Sequence, residues 1–496
     1  MVVNEMNKDR SNNFLIQLWK SVVIFTVSIL SSYSIAANNN LPEIGSSASQ
    51  VFSVVQEQAL GDSYMRQLRA FAPIMKDAEV NDYIQHLGFR LVENNPRAAD
   101  RKFSFFVINQ NSINAFALPG GYIGIHTGLI NKSENESELA SVIGHEIAHV
   151  TQRHLARRLE LQNQMTIPSL LAMVGAILIA TQSSNSDTGM AAIAGAQGLS
   201  QQAIINHTRA NEAEADRIGI MSMYRAGFNP QAAVTFFEKM QENSRYHSDA
   251  FEFLRTHPLS RNRITDARLR ASELPRRPVI EKPTYQLIKQ KIKALSTKVN
   301  PVVMDSYQQR YKAGEFKTDE EIYGYALILA KAKKLKQAEA LLLSLRKRHP
   351  NQTSYAIALA ELDIEQKNPK RSLKIIADFL EKIPGNLALV ETKAKLLLED
   401  ESPAEARELL LENIHMTSFA PHLYQLLSKA QEESGNISEV FETEGNYLIS
   451  MGDLSGARNQ YYQALNVHTE DPYARERINS QIRLIKEYMY KRSMQR

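Results

Sequence analysis

The feature that most restricts how this chain can fold is a period of 34 residues in its C-terminal part. Leu335 and Pro369, Ala338, Ser372 and Ala406, Leu345 and Phe379, and Pro350 and Pro384 are each separated by that step. A poorer match falls on Gly452, Ala457, Tyr461 and Ala464. Self-similarity at this length, with small residues where paired helices would meet, predicts stacked helix-turn-helix units, because one unit alone cannot bury its apolar face. An unrelated helical bundle is the alternative. None of the residues in this part has the pattern of a catalytic group.

Thirty-four residues is the length of a tetratricopeptide unit, so residues 303–496 are expected to form an α-solenoid whose concave surface takes peptides or protein partners. The full chain of 496 residues exceeds what one core sustains, and at least one further domain precedes the repeats. Its 58 basic and 54 acidic residues nearly balance, and no lysine or arginine block tracks a phosphate backbone, which argues against a nucleic-acid partner. There is no cysteine, so any bound metal must be held by His, Asp or Glu.

At the N-terminus, Lys8, Arg10 and Lys20 precede the apolar run Val22 to Leu30, which passes into Ser34-Ile35-Ala36-Ala37. This order predicts a secretory signal peptide over residues 1–36, cut after Ala36, since the apolar run is shorter than the roughly 20 residues that span a bilayer. If the source is a bacterium, the expected location is the periplasm, with the mature protein soluble or peripheral at a membrane. Residues 37–272 mix helical patterns with strands at Phe103 to Ile108 and Tyr122 to His126, punctuated by Gly120-Gly121. Ser133 to Glu136 reads as a helix capping box. Ile167 to Ala180 is almost wholly apolar, and two readings of 167–205 stand: a buried helix or lid, or a segment contacting a membrane or an unfolded client. Residues 273–302, with three prolines between Leu274 and Pro283, are expected to link the domains.

The chemistry concentrates in His145-Glu146-Ile147-Ala148-His149. On a helix the two histidines lie about 40° apart around the axis, so both imidazoles reach one ion while Glu146 can take a proton from an attacking water. Two histidines do not complete a metal site. Downstream, Glu212 and Asp216 share a helix face four residues apart; Glu212 can supply the third donor and Asp216 can orient a ligand imidazole. Glu214 lies about 200° round from Glu212 and cannot share its role. By the same helical geometry His154, about 140° from His149, is expected to point away from the metal. His126 and His207 are read as local hydrogen-bonding residues.

Three separated motifs, His145 to His149, Glu212-x-x-x-Asp216, and Thr256-His257-Pro258 followed by Arg263, resemble those of the gluzincin metallopeptidases that include the CAAX prenyl proteases and HtpX. Asn114 to Ile123 is similar to that family's edge-strand region, and a substrate strand is expected to pair along Tyr122 to Ile125. The resemblance implies one zinc ion per chain held by His145, His149 and Glu212, with Glu146 as general base and acid and Asp216 as orienter. It implies that His257 and Arg263 stand near the metal, His257 either stabilising the oxyanion or filling the fourth zinc position. The implied fold is mostly α, an α+β peptidase domain with a small edge sheet followed by the repeats. With the leader and repeats, the resemblance also implies outer-membrane β-barrel proteins as clients and their assembly machinery as partner. Two functions follow from it, an endopeptidase and a chaperone or scaffold with a latent protease centre.

Overall fold

A computed structural model of the chain describes residues 53–161, 198–243, 251–279, 281–467 and 471–494. The expected leader at 1–36 and most of the apolar segment at 167–205 lie outside them. Among the described residues no helix is long and apolar enough to cross a membrane.

The N-terminal part opens with α1 (Val54–Phe71) and α2 (Ala78–Glu93), followed by β1 (Ser104–Ile108), β2 (Ala115–Leu118), β3 (Tyr122–His126) and the short α3 (Thr127–Lys132). The sheet order is β1-β3-β2, with β3 parallel to β1 and antiparallel to β2. The two expected strands are therefore present, but the Pro119–Gly121 turn joins β2 to β3, and β3 is central. Tyr122 to Ile125 is paired on both sides and cannot accept a substrate strand; the strand beside it, β2, is an edge. Gly120 and Gly121 take left-handed conformations, with φ of 74° and 79°, at this turn. A Cβ on Gly121 would stand 1.9 Å from the Lys102 carbonyl oxygen, so no other residue fits.

Helix α4 (Glu136–Thr151) carries the histidine pair. Its cap is Asn135, whose side chain accepts from the Glu138 amide, and not the expected Ser133. The Ser133 hydroxyl is already used, donating to Leu129 O at the end of α3. After a break come α5 (His154–Leu161), α6 (Gly198–Arg225), α7 (Gln231–Asn243), α8 (Phe251–Thr256) and α9 (Arg261–Glu273). Leu139, Val142 and Ile143 of α4 join Ile123, Ile125, Phe236 and Ile264 in one buried core.

Inside the stretch expected to be a linker, α10 (Pro283–Ser296) is a structural helix. Tyr285, Ile288 and Ile292 pack in the core of the N-terminal part, while Leu287 and Ala294 pack in the first repeat core. Pro283 marks its first turn, where a missing amide costs nothing.

The repeats follow as α11 (Pro301–Lys312), α12 (Asp319–Lys331), α13 (Leu335–Arg348), α14 (Thr353–Glu365), α15 (Lys370–Lys382), α16 (Leu387–Glu399), α17 (Pro403–Glu412), α18 (His422–Glu433), α19 (Ile437–Met451) and α20 (Leu454–Val467). The small residues Ala338, Ser372 and Ala406 are buried at equivalent places, as are Leu345 and Phe379. The turns within the pairs α12–α13, α14–α15, α16–α17 and α18–α19 repeat one closure: a left-handed residue at Lys333, Lys367, Glu401 and Gly435. The next amide in each case reaches back to the helix, as in Asn368 N to Asp363 O and Ser402 N to Leu397 O, at 2.9 and 2.8 Å. Helix α21 (Pro472–Met494) ends the described chain, and from Asn479 it belongs to a separate compact unit.

Three of these four turns use a residue with a Cβ. A left-handed non-glycine conformation costs about 1–2 kcal/mol, and glycine returns part of that in chain entropy. Lys367→Gly and Glu401→Gly, both at exposed positions, are expected to stabilise the repeats by about 0.5–1 kcal/mol each, read as a higher urea midpoint. A lower midpoint for both would show that the lysine and glutamate side chains contribute more than the backbone conformation costs.

The N-terminal part and the repeats meet through α2. Asp82 caps α16, accepting from Asn386 Nδ2 at 2.6 Å and from the Leu387 amide at 3.1 Å. Buried Lys291 of α10 pairs with Glu79 at 2.9 Å and Asp77 at 3.2 Å, so a charge that would be costly alone is matched.

Candidate metal centre

Helices α4 and α6 cross at Gly144 and Gly219. A Cβ on Gly219 would stand 2.9 Å from the His145 amide nitrogen, so the missing side chain lets the two backbones touch. That approach brings His145 and His149 of α4 against Glu212 and Asp216 of α6. The turn after α8 adds His257, whose ring lies on Phe253 with centroids 4.9 Å apart.

Four donors converge. His145 Nε2 is 2.9 Å from His149 Nε2, 3.2 Å from His257 Nδ1 and 3.4 Å from Glu212 Oε2. Glu212 Oε1 is 3.3 Å from His149 Nε2, and Glu212 Oε2 is 3.2 Å from His257 Nδ1. A tetrahedral ion with zinc-like bonds of about 2.0–2.2 Å sets its ligand atoms about 3.3–3.5 Å apart. The donor separations, 2.9 to 3.4 Å, lie at or slightly below that spacing. The charge distribution agrees: burial lowers the His145 imidazole, but hydrogen bonds to Asp216 and Glu212 outweigh it and raise it to about 10. Positive charge is favoured at His145, whereas burial, reinforced by the charge on His145, lowers His149.

Glu212 is buried, which opposes its ionisation, yet His257, His145 and His149 hold it well below the usual carboxylate range. Asp216 likewise stays ionised against burial because Arg263 and His145 bond to it. Arg263 makes a fork with Asp216, Nε to Oδ2 at 2.7 Å and Nη2 to Oδ1 at 2.8 Å, while its Nη1 lies 2.9 Å from Glu212 Oε2. His145 Nδ1 is 2.9 Å from Asp216 Oδ1. Glu146 is buried beside the donors, its Oε1 makes no hydrogen bond, and that oxygen stands 3.3 Å from His257 Nε2.

The structure thus gathers all the residues singled out in the sequence: His145, Glu146, His149, Glu212, Asp216, His257 and Arg263. His126 is apart from them, buried with Nδ1 2.7 Å from the Ser112 hydroxyl, and burial lowers it to about 4. The His207 side chain lies outside the described residues. His154 differs from expectation. Its Nδ1 is 2.8 Å from His149 Nδ1, because α4 stops at Thr151 and Arg153 adopts a φ of 54°. The extrapolated helix does not exist there. Glu214, which indeed stays away from Glu212, meets His154 instead.

Comparison with known proteins agrees with this geometry. Residues 78–271 match the model of peptidase family M48. The chain is 35% identical to the beta-barrel assembly-enhancing protease of Yersinia pestis, covering 85% of this chain and 86% of that protein. For the protein of the same name from Escherichia coli K12 the values are 34%, 89% and 91%. A mitochondrial metalloendopeptidase, OMA1 of Schizosaccharomyces pombe, is 32% identical over 34% of this chain and 46% of its own length. With relatives of this identity over most of its length, and with its donors and an adjacent glutamate gathered on two crossing helices, the chain is a metalloendopeptidase belonging to peptidase family M48.

Proposed function

We propose that this is a zinc-dependent periplasmic endopeptidase that cleaves misfolded or misassembled outer-membrane β-barrel proteins and, through its repeats, assists their assembly. The observation that carries the reading is the four-donor cluster with Glu146 beside it, in a chain that aligns with beta-barrel assembly-enhancing proteases over most of both lengths. His145, His149 and Glu212 are the residues that hold the ion, a His2Glu set that suits zinc. When bound, zinc supplies Lewis-acid chemistry to the attacking water and the scissile carbonyl. Glu146 takes the proton of that water and returns it to the departing amine. Asp216, backed by Arg263, fixes His145 so that its Nε2 faces the ion. Edge strand β2 offers backbone groups to an extended, locally unfolded substrate, which selects against folded proteins. The peptidase part is assigned to residues 37–272 and the client-holding repeats to 303–496, with residues 1–36 as the export signal.

A second reading, a resting state with the protease centre latent, is favoured by His257. Its Nδ1 stands with the donors and its Nε2 faces Glu146, so one imidazole covers both the open zinc position and the base. Catalytic zinc needs that position free. His257→Ala is expected to retain zinc and to raise cleavage of an unfolded β-barrel substrate by about tenfold, as the competent fraction grows. A fall of about 10²–10³ would instead assign His257 to the oxyanion. Unchanged cleavage and zinc content would remove both roles.

A further inference from the structure

We propose that His154 and Glu214 form a positioning relay that fixes the tautomer and ring orientation of the metal ligand His149. His149 turns Nε2 to the donor cluster, so its Nδ1 carries the hydrogen. That N–H points at His154 Nδ1, 2.8 Å away, which therefore accepts. His154 then carries its own hydrogen on Nε2, and Glu214 Oε2 stands 3.3 Å from it. Arg157 Nη1 donates to the same Glu214 oxygen at 2.9 Å, holding the carboxylate in place. Every donor in this chain has an acceptor only in the order His149, His154, Glu214.

The local backbone is built for this contact. Arg153 takes a left-handed φ of 54°, a strained conformation for a residue with a Cβ, and that turn swings His154 back over His149. The turn is pinned from α1, where Glu57 receives Arg153 Nε at 3.0 Å and Nη2 at 2.9 Å. His154 is 4% exposed, so no water supplies an easy substitute. On α6, alternate acidic residues divide the work: Glu212 is a donor to the ion, Asp216 ends the line through His145, and Glu214 ends the line through His149. A histidine acceptor differs from the carboxylate behind His145, since a neutral ring leaves the His149 ligand less electron-rich while aiming it equally well.

The inference rests on the zinc reading of the cluster, and the experiment separates the two. Zinc affinity is measured by chelator competition on the full chain, with far-UV circular dichroism as the folding control. His154→Phe keeps the ring volume and removes the acceptor; its affinity is expected to fall by about 10–100-fold. His154→Asn places Oδ1 where Nδ1 stood and is expected to restore most of that loss. Glu214→Gln weakens zinc several-fold in the native chain and has no further effect in His154→Asn, which has no distal N–H to orient. If the native chain binds no zinc, the zinc reading fails first. If it binds and His154→Phe binds equally, or His154→Asn is as weak as His154→Phe, the relay is overturned. Should His154→Phe not fold, the Glu214→Gln effect in the native and His154→Asn backgrounds decides alone: equal losses in both refute the relay.

Discussion

Glu146→Gln is expected to lower peptide cleavage by about 10²–10⁴-fold while zinc content and fold stay native. The substitution preserves shape and one oxygen but cannot take a proton, and Glu146 lies beside the donor set without belonging to it. Its buried Oε1 has no hydrogen bond to lose, so no compensating network is broken. The measurement is cleavage of an unfolded β-barrel substrate beside metal analysis of the same sample. The variant also separates the two functions of the chain. Loss of cleavage with retained assistance to β-barrel assembly places that assistance in the repeats, whereas loss of both makes proteolysis the whole of the function. Residual cleavage within about tenfold of native would move the base to another group, contrary to the geometry here.

The repeats were legible because periodicity survives without long-range information. Ala338, Ser372 and Ala406 are equivalent by spacing alone, and they occupy equivalent buried places. The metal site was legible for a related reason: each half lies on one helix, where four-residue spacing fixes a common face. What brings the halves together is less visible. Gly144 and Gly219 let α4 and α6 touch, yet neither glycine announces its partner. Strand identity could be read from Phe103 to Ile108 and Tyr122 to His126, but strand order could not. Local pattern does not say that β1 lies parallel to β3 while β2 takes the other side. That gap moved the expected edge to the wrong strand.

The remaining differences arise where one backbone angle or one competing bond decides the outcome. A helix continuing past Thr151 would carry His154 away from the metal ligands, and a single left-handed residue, Arg153, prevents it. No glycine marks the break; tertiary ion pairs with Glu57 hold it instead. Ser133 had the spacing of a cap but was claimed by α3, leaving Asn135 to serve. Prolines made 273–302 read as a linker, although Pro283 begins a core helix.

Arg263→Met is expected to destabilise the metal-free catalytic part by about 3–5 kcal/mol and to weaken zinc binding as well. Arg263 is 6% exposed and its guanidinium is the counter-charge for two carboxylates that are about equally buried, Glu212 at 3% and Asp216 at 7%. Methionine fills much of the volume, so the loss is that of leaving ionised groups unmatched rather than of a cavity. The fork to Asp216 also sets the direction of that carboxylate toward His145 Nδ1. Without it, His145 loses its orienter together with Asp216. Zinc, held by His145, His149 and Glu212 as proposed, would restore part of the balance, because its charge would oppose that of Glu212 directly and that of Asp216 only through the His145 ring. The variant is therefore expected to show a wider gap than the native chain between its denaturation midpoints with zinc and with chelator. Arg263→Lys returns the charge without the planar fork, and one ammonium cannot serve Asp216 twice, Glu212 and the Pro258 carbonyl at once. It should recover less of the zinc affinity than of the stability. Equal midpoints for native and Arg263→Met proteins in chelator would mean that the carboxylates are neutral without the ion, and the electrostatic account of this centre would then be wrong.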